Sequence, residues 1–174
     1  SLTSIPEGLF LGCRNVTSFS SCFSNCSSLT SIPEGLFSEC KSVTDFGSCF
    51  YGCSSLTSIP EGLFWGCTEM ENVWSLFSYC ENMLSIPAKL FAGNPKITAF
   101  NSTFDNCNKL TNIPEGLFDS CPNVDSFNKT FQQCQSLRSV PVSLFDNNRK
   151  VTDFMCTFSG CYMVVGESPY TVIN

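Results

Sequence analysis

Histidine is absent from this 174-residue chain. That absence removes Ser-His-Asp and Cys-His triads, HExxH zinc sites and imidazole acid–base chemistry. Charge is scarce as well: charged residues make up 14% of the chain, and only nine are Lys or Arg. With a net charge of −6, the chain is not expected to bind nucleic acid or an anionic membrane surface. No apolar run approaches the roughly 20 residues of a membrane-spanning helix, so no membrane span is expected in this segment. No Asp, Glu, Lys or Arg residues cluster as a catalytic set, which reads as a protein that is not an enzyme and needs no cofactor or metal. What the chain does have is a hydrophobic content of 43%, enough to bury a core. Ser, Thr and Asn fill most of the rest.

The apolar residues are organised by a repeat. The string SLTSIPEGLF begins at Ser1, Ser28 and Ser55, a period of 27, and weaker copies continue it. Pro6, Pro33, Pro60, Pro87, Pro114 and Pro141 mark six units without insertion or deletion. The units are 1–27, 28–54, 55–81, 82–108, 109–135 and 136–162. The solenoid is expected to cover 1–165, with 166–174 as a degenerate exit segment. Aliphatic columns run through the units, headed by Leu2, Ile5, Leu9 and Val16, and all 17 Phe fall in columns headed by Phe10, Phe19 and Phe23. Such columns describe a continuous core shared by stacked coils, none of which could bury its face alone.

Each unit divides into two similar halves that read aliphatic-Thr-Ser-apolar, then apolar-Phe, then Cys. Thr3, Ser4 and Ile5 suit an extended piece. Ser4-Ile5-Pro6-Glu7 has the form of a capping box, and column 18 (Ser18, Asp45, Asn72, Ala99, Ser126, Asp153) is rich in N-cap residues. The expected fold is therefore an α/β solenoid: a right-handed superhelix of six coils with short extended segments and short helical turns. A mostly α solenoid is the alternative. Helical spacing in the second half turns positions 20 and 24 outward, and with them Ser78, beside the inward Phe77.

The unit L-T-S-I-P-E-G-L-F-x-G-C resembles the BspA-like class of leucine-rich repeat, and the half V-T-S-F-S-S-C-F-S-N-C-S-S resembles the related repeat of bacterial surface lipoproteins. The period of 27 is longer than the usual unit of that class, and a second helix-like half stands where its extended stretch would be. The resemblance implies a leucine-rich-repeat-like parallel solenoid on a cell-surface or secreted bacterial protein, used for adhesion or binding. Residue 1 already lies in repeat phase. The chain is therefore expected to be part of a longer protein whose signal peptide lies upstream.

Thirteen cysteines suggest a disulfide framework or a metal site, but their phase suggests a ladder. Cys26, Cys53, Cys80, Cys107, Cys134 and Cys161 form one full column. Cys13, Cys40, Cys67 and Cys121 form another, with Asn94 and Asn148 in its gaps. Exchange of Cys with Asn marks a small side chain that bonds to nearby backbone. Glu7, Glu34, Glu61 and Glu115 read as first-turn carboxylates rather than a calcium stripe. Gly8, Gly35, Gly62 and Gly116 read as sites of close approach between coils.

Outside the Phe columns, aromatic residues concentrate between Tyr51 and Tyr79. Tyr51, at position 24, and Trp74, at position 20 of the next coil, are the expected binding pair on one outer face, with Trp65 on another. The function expected from family and surface together is a non-catalytic binding or adhesion segment taking a protein or glycan ligand. The alternative is a passive spacer in a larger surface fibre.

Overall fold

The structure is a computed structural model that describes residues 2–165. The proposed exit segment at 166–174 lies outside the described residues. Among those described, no helix forms, and strand pairing consists of isolated parallel bridges. Five bridges link column 18 from Ser18 through Asp45, Asn72, Ala99 and Ser126 to Asp153; a sixth joins Asn112 to Ser139. The helical turns expected in both halves are instead chains of overlapping β-turns.

The cause is a left-handed residue at every fourth position. Ser21 (φ 58°) and Asn25 (φ 59°) are the third residues of turns closed by Cys22 N–H to Phe19 O and Cys26 N–H to Phe23 O. The first half uses the scheme where position 8 is glycine, in four of the six coils, as with Gly8 (φ 69°) in the turn closed by Leu9 N–H to Pro6 O. Positive φ at that place is what a type II turn demands. It also stops an α-helix, because an L-residue there costs about 1–2 kcal/mol. The glycine column thus serves backbone conformation. At Gly8, a Cβ would meet Leu11 of its own coil, not a neighbouring coil.

Overlapping turns leave alternate N–H groups unused within the coil, and these join the coils. In the first coil Phe19, Ser21, Phe23 and Asn25 donate to the carbonyls of Asp45, Gly47, Cys49 and Tyr51, at 2.6–2.9 Å. The register, residue i to residue i+26, recurs as far as Gln133 N–H to Ser159 O. Position 20 is satisfied by column 18: Asp45 Oδ1 accepts from Gly47 N–H (2.8 Å), and Asn72 Oδ1 from Trp74 N–H (3.0 Å). These are Asx turns, so column 18 does cap an N–H, but that of a turn rather than of a helix.

Positions 6–12 donate no backbone bond to a neighbouring coil. That side is held by side chains. Ring centroids of successive position-10 phenylalanines lie 5.7–6.5 Å apart. Those at position 23, behind the ladder, lie 5.3–5.9 Å apart. One hydrophobic cluster runs from Ile5 to Val164. Leu2 and Leu9 head columns that are otherwise buried, and are 42% and 47% exposed.

Position 22 also faces inward: Cys49, Leu76, Thr103, Thr130 and Thr157 are all buried. Ser78, read as outward, is buried too, at 1% exposure, because two-residue turn steps do not follow helical phase. Phe77→Ala should lower stability by about 3–5 kcal/mol through lost burial and a cavity. Thr98→Ala, at an exposed site one coil on, should cost less than about 0.5 kcal/mol. Urea titration of the two variants compares them, and equal losses would overturn the assignment of the core.

Candidate binding surface

The two sides of each coil differ in charge. Positions 16–26, summed over six coils, carry Asp45, Glu71, Asp105, Asp125 and Asp153 but a single basic residue, Lys129. The other eight Lys and Arg lie outside that stretch. Several of these acids are occupied by the ladder. Asp45 accepts from Ser18 Oγ (3.1 Å) and Asn72 Nδ2 (2.7 Å), and Asp153 from Ser126 Oγ (3.1 Å) and Asn128 Nδ2 (3.1 Å). Backbone donation from Met155, chiefly, holds the Asp153 carboxyl below its usual range. Among the described residues, no three Cys, Asp or Glu side chains converge as a metal-binding group.

Tyr51 and Trp74 both lie on this acidic side. Trp74 is 58% exposed, and Tyr51 is half-buried. The Tyr51 ring pairs not with Trp74 but with Tyr79, centroids 5.3 Å apart at 51°. Tyr79 is itself 40% exposed. Helical spacing could not point to Tyr79, because position 25 would have turned elsewhere on a helix. The usable signal was the left-handed column at 25, where Asn25, Gly52, Asn106 and Gly160 surround it. Trp65 lies on the other half: a Cβ on Gly62 would come within 2.7 Å of its ring, and its Nε1–H donates to Lys89 O (3.3 Å).

The cysteine columns bond to backbone across coils. Cys53, Cys80, Cys107, Cys134 and Cys161 donate from Sγ to the carbonyls of Phe23, Phe50, Phe77, Phe104 and Phe131, at 3.1–3.4 Å. In the other column Cys67 Sγ reaches Phe37 O (3.7 Å) and Cys121 Sγ reaches Asn94 O (3.6 Å). Asn94 and Asn148 use Nδ2 to bond Phe64 O and Phe118 O, at 3.2 and 3.3 Å. Cys40 is buried in the same column, and Cys13 and Cys26, at the first coil, are half-buried. All 13 thiols are free.

The repeat carries the family assignment. The family described as BspA type Leucine rich repeat region matches residues 1–159 in six copies. The chain belongs to that family. Among solved structures it is similar to a leucine-rich repeat protein from Eubacterium ventriosum, with 16% identity, a TM-score of 0.45, and coverage of 82% of this chain and 37% of that one. It is also similar to the leucine-rich repeat protein of T. pallidum, with 18% identity, a TM-score of 0.37, and coverage of 98% and 80%. The Drosophila Toll–Spatzle complex follows, with 14% identity, a TM-score of 0.28, and coverage of 74% and 25%. The chain thus spans well under half of the Eubacterium protein. Comparison with curated proteins yields no match.

Burial sets the thiol chemistry of this repeat. It pushes Cys53, Cys67 and Cys121 up from 9.0 to about 12. Native labelling with iodoacetamide at pH 8 should therefore modify the exposed Cys22 and Cys156 first. The buried columns should react only as the chain opens. Peptide mapping gives the order, and early labelling of Cys67 would contradict it.

A second consequence concerns alkaline stability. Unfolded thiols ionise near 9, whereas these three stay protonated in the fold to about 12. In that window the unfolded state binds fewer protons, so stability falls as pH rises. The slope is at most about 1.4 kcal/mol per thiol and pH unit. Thermal melts of the reduced protein from pH 8 to 11 should show Tm falling, and Cys67→Asn should make the fall shallower. A Tm independent of pH would exclude the effect.

Proposed function

We propose that this segment of a BspA-type repeat protein is a non-catalytic binding module of an exported bacterial protein, at the cell surface or secreted. Its ligand is a protein. The observation that carries the reading is the exposed Trp74 and, on the same hydrogen-bonded side, the ring pair of the half-buried Tyr51 with the exposed Tyr79. Rings on a backbone held by inter-coil bonds lose little freedom when a partner docks, and aromatic anchors dominate protein interfaces. Family membership supports the reading, as does the absence of histidine from the sequence. The second reading is a passive spacer, favoured by the unbroken period and the Ser/Thr/Asn-rich surface.

Purified extracellular-matrix proteins, bacterial surface proteins and glycans, arrayed against the intact chain, test the two. A protein ligand should emerge whose affinity drops about tenfold or more for Tyr51→Ala/Trp74→Ala with folding intact. Unchanged affinity would remove this face from consideration. No binding to any component would favour the spacer.

A further inference from the structure

Position 24 reads Tyr51, Ser78 and Asp105 across the second, third and fourth coils. The small Ser78 between two longer side chains is 1% exposed, so its neighbours already cover it. Tyr79 stands next to it, its ring 5.3 Å from that of Tyr51, its N–H bonded to Asp105 O at 2.8 Å. Tyr79 adopts φ 60°, a conformation costly for an aromatic residue that four of the other five coils give to Asn or Gly.

Asp105 is half-buried and accepts from Asn106 Nδ2 at 2.8 Å. Among the described residues the ion pairs are Arg14–Glu39 and Lys96–Glu69, so Asp105 is in neither. Burial raises its carboxyl above the usual range, against the pull of Asn106 and of Lys129 one coil on. Burial, chiefly, and then Asp105, Tyr51 and Glu81 raise the Tyr79 phenol above its usual range. The group therefore holds two rings, one half-buried carboxylate that is in no ion pair among the described residues, and a second acid, on a side with a single lysine.

We propose that Tyr51, Tyr79 and Asp105 form a seat for a lysine or arginine side chain of a protein partner. The cation sits against the tyrosine rings, whose faces are electron-rich. Its N–H groups donate to the Asp105 carboxylate, making the ion pair that Asp105 forms with no described residue. Arginine fits best, being planar and weakly hydrated. A neutral sugar could use the rings but would leave the Asp105 charge uncompensated. The proposal rests on the reading of the chain as a protein-binding segment and names the chemistry of its partner.

The probe is a hexa-arginine peptide, titrated against the intact chain by calorimetry, with maltohexaose as the neutral comparison. Asp105→Asn and Tyr79→Gly should each weaken hexa-arginine binding about fivefold or more. Glycine relieves the left-handed strain at 79, so loss of fold does not confound that variant. Asp125→Asn removes the same charge from an exposed site on the same side and should leave affinity unchanged. Equal weakening by Asp125→Asn would reveal diffuse attraction and overturn the seat, as would tighter binding of maltohexaose that survives Asp105→Asn. A protein ligand whose affinity ignores Asp105→Asn and Tyr79→Gly would also overturn the seat while the protein-binding reading stands. Site-specific hexa-arginine binding with no protein ligand on the array would uphold the seat and sink that reading.

Discussion

Every coil must dispose of its backbone N–H groups without a helix or a continuous strand, and the solution is alternation. Odd positions from 19 to 25 donate to the next coil, while 22, 24 and 26 close turns within their own. Column 18 takes care of position 20 in every coil but the fourth, where it is Ala99. The arrangement works only if the chain turns left-handed at 21 and 25, and ten such residues are not glycine. Each costs conformational energy, which the inter-coil bonds and the packing of Phe on Phe offset. Since a buried, unpaired N–H is rare in folded proteins, the register cannot slip by one residue without stranding the whole row. The two sides of the solenoid therefore differ in kind, one held by backbone bonds between coils and the other by packed side chains.

The columns were legible because a shared core leaves its mark at a fixed period whatever the local backbone does. Ile32, Leu63, Phe77 and Cys107 are buried as their phase demands. The local backbone was misread for a specific reason. A Ser or Asp that accepts from the N–H two residues on serves an Asx turn as well as it serves a helix, so column 18 could not tell the two apart. Gly8 and Asn25 could have done so: Gly or Asn at a fixed offset, four residues from the next, signals left-handed turns. Read as a helix, the same offset hid Tyr79 and turned Ser78 outward. Tyr51 and Trp74 were found because they interrupt drifting polar positions. Their geometry was not, because the pairing of Tyr51 with Tyr79 depends on turn steps and on inter-coil register.

The cysteines show how little redox chemistry a Cys-rich repeat requires. Position 26 needs one donor for a Phe carbonyl of the preceding coil and otherwise apolar bulk. A thiol supplies both, and because its donor is weak, leaving it poorly bonded costs little. Asparagine at position 13 makes a second bond, Asn94 Nδ2 reaching Cys67 O at 2.9 Å as well as Phe64 O. It also buries an acceptor, since Oδ1 of Asn94 and of Asn148 has no partner. One extra hydrogen bond is worth about 1 kcal/mol, and an orphaned buried acceptor costs about 1–3 kcal/mol. The two residues are thus nearly balanced, which is why they alternate in one column. Threonine at position 22 avoids the difficulty differently. Thr130 Oγ1 donates to Phe100 O at 3.0 Å, and its methyl fills core volume. Ladder positions in this repeat are therefore selected by the count of donors against acceptors that a buried carbonyl row will accept. Thiol reactivity is what that selection suppresses.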